Sequence, residues 1–204
     1  MPRIVDRDVK RAEFVAASLE VIAASGLNAT TLRRVAAQAG CTTGALTHYF
    51  PDRSTLLITA LRSVQAAAGR RMIAVAKATP DPVVRLQQTV MEALPLDDVR
   101  VREWRVWLAF WGASPGHPLL IHEHSSRYDE WRALLNTVLT PLCPDPRARE
   151  AELDSLMALI DGLGVRGALA HGPDDHVHAE RRSIAGTVNS HIDRLVVRCR
   201  GGRV

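Results

Sequence analysis

Thr30-Thr31-Leu32-Arg33-Arg34-Val35-Ala36-Ala37-Gln38-Ala39-Gly40-Cys41-Thr42-Thr43-Gly44-Ala45-Leu46-Thr47-His48-Tyr49-Phe50-Pro51-Asp52-Arg53 is the stretch on which the fold turns. Thr30 or Thr31 offers a hydroxyl to the free backbone donors of a helix whose apolar positions Leu32, Val35, Ala36 and Ala39 fall at helical spacing. Gly40 can take the positive φ that closes this helix. Thr42 or Thr43 then caps a second, short helix with Leu46 on its inner side, and Pro51 stops it. Asp52 caps a long third helix carrying Leu56, Leu57, Ala60, Leu61 and Val64. Two short helices joined at a glycine form a helix-turn-helix, whose second helix lies in the major groove of DNA. The residues between Thr42 and Tyr49 are therefore expected to touch nucleic acid.

This Thr-Thr…Val-Ala…Ala-Gly…Thr-Gly…Leu…His-Tyr-Phe…Leu-Leu pattern, over roughly residues 8 to 60, resembles the DNA-binding domain of TetR-family transcriptional regulators. The resemblance implies base readout by Thr43, Gly44 and Thr47, with Ala45 or a threonine methyl available to a thymine methyl. Thr47 stands where the family commonly carries a tyrosine. Thr31, Thr42, His48, Tyr49 and Arg53 suit phosphates, which fix position without reading sequence, and Arg33 suits either task. Thr42 serves equally as a pure helix cap, and Tyr49 and Phe50 equally as core residues.

A second resemblance covers Trp104-Arg-Val-Trp-Leu-Ala-Phe-Trp-Gly-Ala-Ser-Pro-Gly-His-Pro-Leu-Leu, then Tyr128, Trp131-Arg132 and Ile160-Asp-Gly-Leu-Gly-Val-Arg-Gly-Ala-Leu. These segments are similar to the ligand-binding domain of BetI-type members, repressors linked to choline and betaine metabolism. The similarity implies architecture more firmly than it implies a ligand.

A chain of 204 residues that is 47% hydrophobic can bury a real core in one or two domains. No apolar run approaches the ~20 residues of a membrane span, and Met1 to Lys10 holds no signal-peptide core, so a cytoplasmic protein is expected. Cys41, Cys143 and Cys199 are odd in number and lack metal-ligand spacing, which predicts unpaired packing or surface residues in a reducing compartment. The net charge of +4 permits nucleic-acid binding without demonstrating it. Arg3, Arg7, Lys10 and Arg11 form either a solvated helix face or a basic arm reaching phosphates.

Helical patterning continues almost to the end, with helices expected near 8–25, 31–39, 42–49, 52–78, 81–93, 97–112, 117–140, 147–170 and 176–198. The expected fold is all-α. A three-helix DNA-binding domain over 1–53 is followed by a ligand-binding and dimerisation domain over 54–204, joined through the long helix that begins at Asp52. The last two helices carry Leu153, Leu156, Met157, Ile160 and Leu163, then Ile184, Val188, Ile192 and Leu195, with Gly164, Gly167 and Ala168 allowing close approach. These faces predict a homodimer through the last two helices; filling one subunit's core is the competing reading. A two-fold dimer matches a palindromic operator in double-stranded DNA.

Trp104, Trp107, Phe110 and Trp111 fall within eight positions in a chain with few aromatic residues. The three tryptophans share a helical face, with Phe110 beside it. Core packing and a small-molecule pocket, with indole faces attracting a cationic inducer and Glu103, Tyr128 and Asp161 as polar partners, are both open. His122 and His124, like His176 and His178, sit two residues apart and point away from each other on a helix. No zinc-helix pattern, nucleophile elbow or phosphate loop is present, so no metal, no cofactor and no catalytic site is expected. The expected function is a dimeric repressor released from its operator by a small molecule. The alternative is a regulator without such a ligand, controlled by a protein partner or constitutive.

Overall fold

The helices begin where the sequence places a short oxygen-bearing side chain. In the computed structural model, which describes residues 7–201, these are α1 (Arg7–Ser25), α2 (Leu32–Gln38), α3 (Thr43–Thr47), α4 (Arg53–Ala78), α5 (Pro82–Glu92), α6 (Asp98–Ala113), α7 (Pro118–Leu139), α8 (Pro146–Leu169) and α9 (Asp174–Gly201). Thr31, Thr42, Asp52, Asp81, Asp97 and Asp145 each accept a backbone N–H of the turn they cap. Proline opens α5, α7 and α8, where its missing N–H leaves no bond unmade. Gly40 turns the chain between α2 and α3 with φ of 65°. No strand occurs among the described residues.

Two cores share one long helix. The first joins Phe14, Ile22, Val35, Leu46 and Phe50 to the first half of α4 at Leu56, Ala60 and Leu61. The second gathers Met72 of α4 with Leu86, Val90, Leu135, Leu139, Leu156, Ile160, Val188 and Ile192. Helix α6 also contributes to both: Trp104 belongs to the second core, whereas Val106, Trp107 and Phe110 belong to the first. Trp111 and Trp131 pack against both.

Two sequence expectations are corrected. Every apolar residue of α8 and α9 assigned to association, Leu153, Leu156, Met157, Ile160, Leu163, Ile184, Val188, Ile192 and Leu195, is buried within this one chain. Gly164 and Gly167 do permit close approach, but to Trp104 and to Pro95 and Ile184 of the same chain. Hydrophobic period alone does not say whether a face meets its own chain or another. The cysteines are not all unpaired either: Cys143, after α7, and Cys199, near the end of α9, form a disulfide with Cα atoms 4.9 Å apart, leaving Cys41 free. A separation of 56 residues hid that pairing from any local pattern.

Candidate DNA-binding and ligand-binding sites

The helix-turn-helix presents α3 outward. Leu46 is wholly buried, which fixes the helix roll, and Thr42, Thr43, Gly44, Thr47 and His48 are exposed. Thr31 and Thr42 use their hydroxyl oxygens as caps, accepting from Arg34 N and Ala45 N at 3.2 Å. Thr47 Oγ1 donates back to Gly44 O at 2.9 Å, a local bond that a base edge or phosphate can replace. A Cβ on Gly44 would meet only Thr42 Oγ1 at 3.9 Å, so this end of α3 is open to close approach. Arg33 is exposed on α2. Arg7, Ala45, His48 and Tyr49 line an open concavity beside α3.

Behind that surface lies a brace. The ring of Tyr49 packs on Phe14 at 5.3 Å, and its backbone oxygen accepts from Arg11. The Arg11 guanidinium also stacks over Phe50 at 4.5 Å, and Phe50 is wholly buried. Lys10 pairs with Glu13 at 2.6 Å. Arg3 lies outside the described residues. Arg53, expected at a phosphate, turns inward: Nε donates to Thr30 O at 2.6 Å and Nη2 to Leu27 O. It ties the start of α4 to the segment between α1 and α2.

The second site is an aromatic box between α6, α7 and α8, lined by Trp104, Trp107, Trp111, His124, Arg127, Tyr128, Trp131 and Asp161. Trp111 meets Trp104 edge-on at 5.8 Å and Trp107 at 6.3 Å, and Trp107 meets Trp131 at 5.8 Å. His124 stands between Trp111, at 5.6 Å, and Tyr128, at 5.5 Å. The Tyr128 hydroxyl donates to Asp161 Oδ2 at 2.9 Å. Burial, with the Asp161 carboxylate beside it, pushes the Tyr128 phenol up to about 12. Burial also raises Asp161 above the ordinary carboxylate range, against the hydrogen bond from Tyr128. Trp104 Nε1 donates to Ala93 O at 2.7 Å, whereas Trp111 Nε1 and His124 Nδ1 are buried without a protein partner. The side chains of the box leave a space of about 10 Å³ between them, room for about one water.

Trp104, Trp107, Trp111, Tyr128 and Asp161 thus meet, while Glu103 turns to Arg71 on α4 and Phe110 is turned away into the core beneath the helix-turn-helix. One position along α6 is a rotation of about 100°, enough to send Phe110 to the other core. His124, Arg127 and Trp131 were not among the residues assigned to the pocket. Their spacing with Tyr128, at 124, 127, 128 and 131, marks one face of α7 and was legible.

Residues 14–60 match the family model described as bacterial regulatory proteins, tetR family, and residues 82–197 that described as BetI-type transcriptional repressor, C-terminal. The chain belongs to the TetR family. A regulator named HTH-type transcriptional regulator BetI from Burkholderia cenocepacia is 38% identical over 181 residues, covering 86% of this chain and 90% of that one. Among solved TetR-like structures, a transcriptional regulator from Rhodococcus sp. is 26% identical with a TM-score of 0.75, covering 94% of this chain and 96% of its own. A transcriptional regulator from Saccharomonospora viridis, solved in complex with choline, shares the fold at a TM-score of 0.71 and 23% identity, over 89% of this chain and 96% of that one. This TetR-family chain is thus a DNA-binding transcriptional regulator with a BetI-type repressor domain, and not an enzyme.

Proposed function

We propose that this repressor binds a palindromic operator as a homodimer and releases it when a small organic cation enters the aromatic box. One observation carries the reading: the Asp161 carboxylate stands among four indoles and a phenol, with Trp111 Nε1 and His124 Nδ1 unpartnered. Such a site suits an alkylammonium group, each good cation–π contact contributing ~0.5–2 kcal/mol and the carboxylate supplying the counter-charge. The choline bound by the Saccharomonospora viridis regulator supports the same class. In the DNA-binding head, over residues 1–53, Thr43, Gly44, Ala45 and Thr47 read bases. Thr31, Thr42, His48 and Tyr49 hold phosphates, and Arg33 reaches either.

The dimer forms through the outer face of α8 and α9 within the effector part, residues 54–204. Ala151, Ser155, Ala158, Gly162 and Leu169 form an exposed stripe along α8, and Gly186, Asp193 and Val197 one along α9. A Cβ on Gly162 or Gly186 would meet nothing within 4 Å in the single chain, which leaves both backbones open to a second copy. No helix among the described residues is long and apolar enough to cross a membrane, and the protein acts in the cytoplasm beside the chromosome.

The small free volume of the box favours one competing reading, an aromatic core with no ligand. Titrating choline chloride against tryptophan fluorescence separates the two, with 3,3-dimethyl-1-butanol as the uncharged isostere. Choline should quench, the alcohol should not, and Asp161→Asn should weaken choline by about tenfold or more through loss of the counter-charge. Equal responses to choline and the alcohol, or none to either, would leave the box as core.

A further inference from the structure

Both walls of the aromatic box are attached to α4 by the residue that precedes a box residue. Glu103 precedes Trp104 on α6, and Glu123 precedes His124 on α7. Arg71 Nη1 and Nη2 donate to the two oxygens of Glu103 at 2.9 and 2.6 Å. Arg62 Nε and Nη2 donate to the two oxygens of Glu123 at 2.9 and 2.5 Å. Glu123 is the one charged residue that is buried among the described residues. Arg62 and Arg71 are nine residues apart, which places them about 14 Å apart along α4 and on opposite faces of it. Helix α4 is therefore gripped from two sides, once by each wall, and its first turn carries the Arg53 tie to the DNA-binding head.

We infer that the bidentate pairs Arg62–Glu123 and Arg71–Glu103 are the linkage that carries the opening of the aromatic box to α4 and the recognition helix. The inference rests on the reading of the box as the effector site. A box with room for about one water must spread α6 from α7 to admit an organic cation. Bidentate pairs are directional, so each wall takes its end of α4 with it or loses two charge-assisted bonds. Moving either wall therefore changes the orientation of α4, which is the differential between states that an effector needs. Glu103 and Glu123 touch neither DNA nor ligand; they are positioning residues.

The test uses operator affinity of the full-length protein, read by anisotropy on a duplex recovered by genomic selection, in wild type, Glu103→Gln/Glu123→Gln and the charge-reversed pair Arg62→Glu/Glu123→Arg. Each is measured with and without choline chloride, and also carrying Gly164→Ala. A Cβ on Gly164 would lie 2.0 Å from the Trp104 ring, so this variant pushes on the box without any ligand. The double glutamine variant should keep basal affinity and dimer content, while the loss of operator affinity caused by choline, or by Gly164→Ala where choline does not bind, falls by about fivefold or more. The charge-reversed pair should regain part of that response. If choline leaves wild type unchanged but Gly164→Ala weakens operator binding through the glutamates, the linkage stands and the cation reading fails. If the double glutamine variant loses operator affinity as fully as wild type under the same stimulus, or if neither stimulus weakens wild-type binding, the linkage is overturned.

Discussion

Arg53 illustrates how far a single side chain can depart from the task its position implies. With Nε and Nη2 committed to Thr30 O and Leu27 O, it closes the head against α4 instead of facing outward. Arg53→Lys, whose point-like ammonium cannot span both carbonyls, should lower the melting temperature and operator affinity together while leaving base preference unchanged. Thermal unfolding and binding-site selection on the same variant check this. Asp161 gives a second test, through pH. Its folded pKa is raised above the unfolded value, so its contribution to stability is present below the unfolded pKa and is lost as pH rises through the folded one. Glu123 and Glu152, held low by hydrogen bonds from Arg62 and Arg198, act in the opposite sense, losing stability as pH falls. The difference in unfolding free energy between wild type and Asp161→Asn isolates the aspartate: Asp161→Asn should become relatively more stable as pH rises through the acid range, while choline binding to wild type strengthens over the same window. The tryptophan face was legible because 104, 107 and 111 repeat at helical spacing. The inward turn of Arg53 was not, since its partners lie 23 and 26 residues earlier, beyond any local pattern.

At the scale of the helix, caps and breakers were the readable part. Thr31, Thr42 and Asp52 cap α2, α3 and α4 as their side-chain chemistry requires, and the ends of the nine expected helices fall close to the observed ones. Gly40 is the joint between α2 and α3. A Cβ there would meet no atom within 4 Å, so its cost comes from φ of 65° alone. Gly40→Ala should therefore destabilise the fold by about 1–2 kcal/mol, measured by denaturant unfolding, and weaken operator binding through misplacement of α3. A loss near zero would mean that the α2–α3 turn relaxes at no cost. What the pattern of a helix could not convey was its neighbour. The apolar positions of α8 were visible, but their burial in this chain depends on α6, α7 and α9 packing over them.

For the molecule as a whole, the proposed dimer rests on the outward stripe on α8. Gly162→Arg has open space in the single chain, so it should leave helicity and monomer stability nearly unchanged while turning a dimer into a monomer by analytical ultracentrifugation. Operator affinity should fall with it, because a lone helix-turn-helix makes only one half-site's contacts. A dimer that survives Gly162→Arg would place association elsewhere. The Cys143–Cys199 bond adds a property of a different kind. It ties the chain into a ring spanning 56 residues, which contains α8 and almost all of α9. Pulled from its two ends, the oxidised chain can never be drawn out to its full contour. About 190 Å of polypeptide, at 3.3–3.6 Å per residue, stays out of the line of force until the sulfurs part.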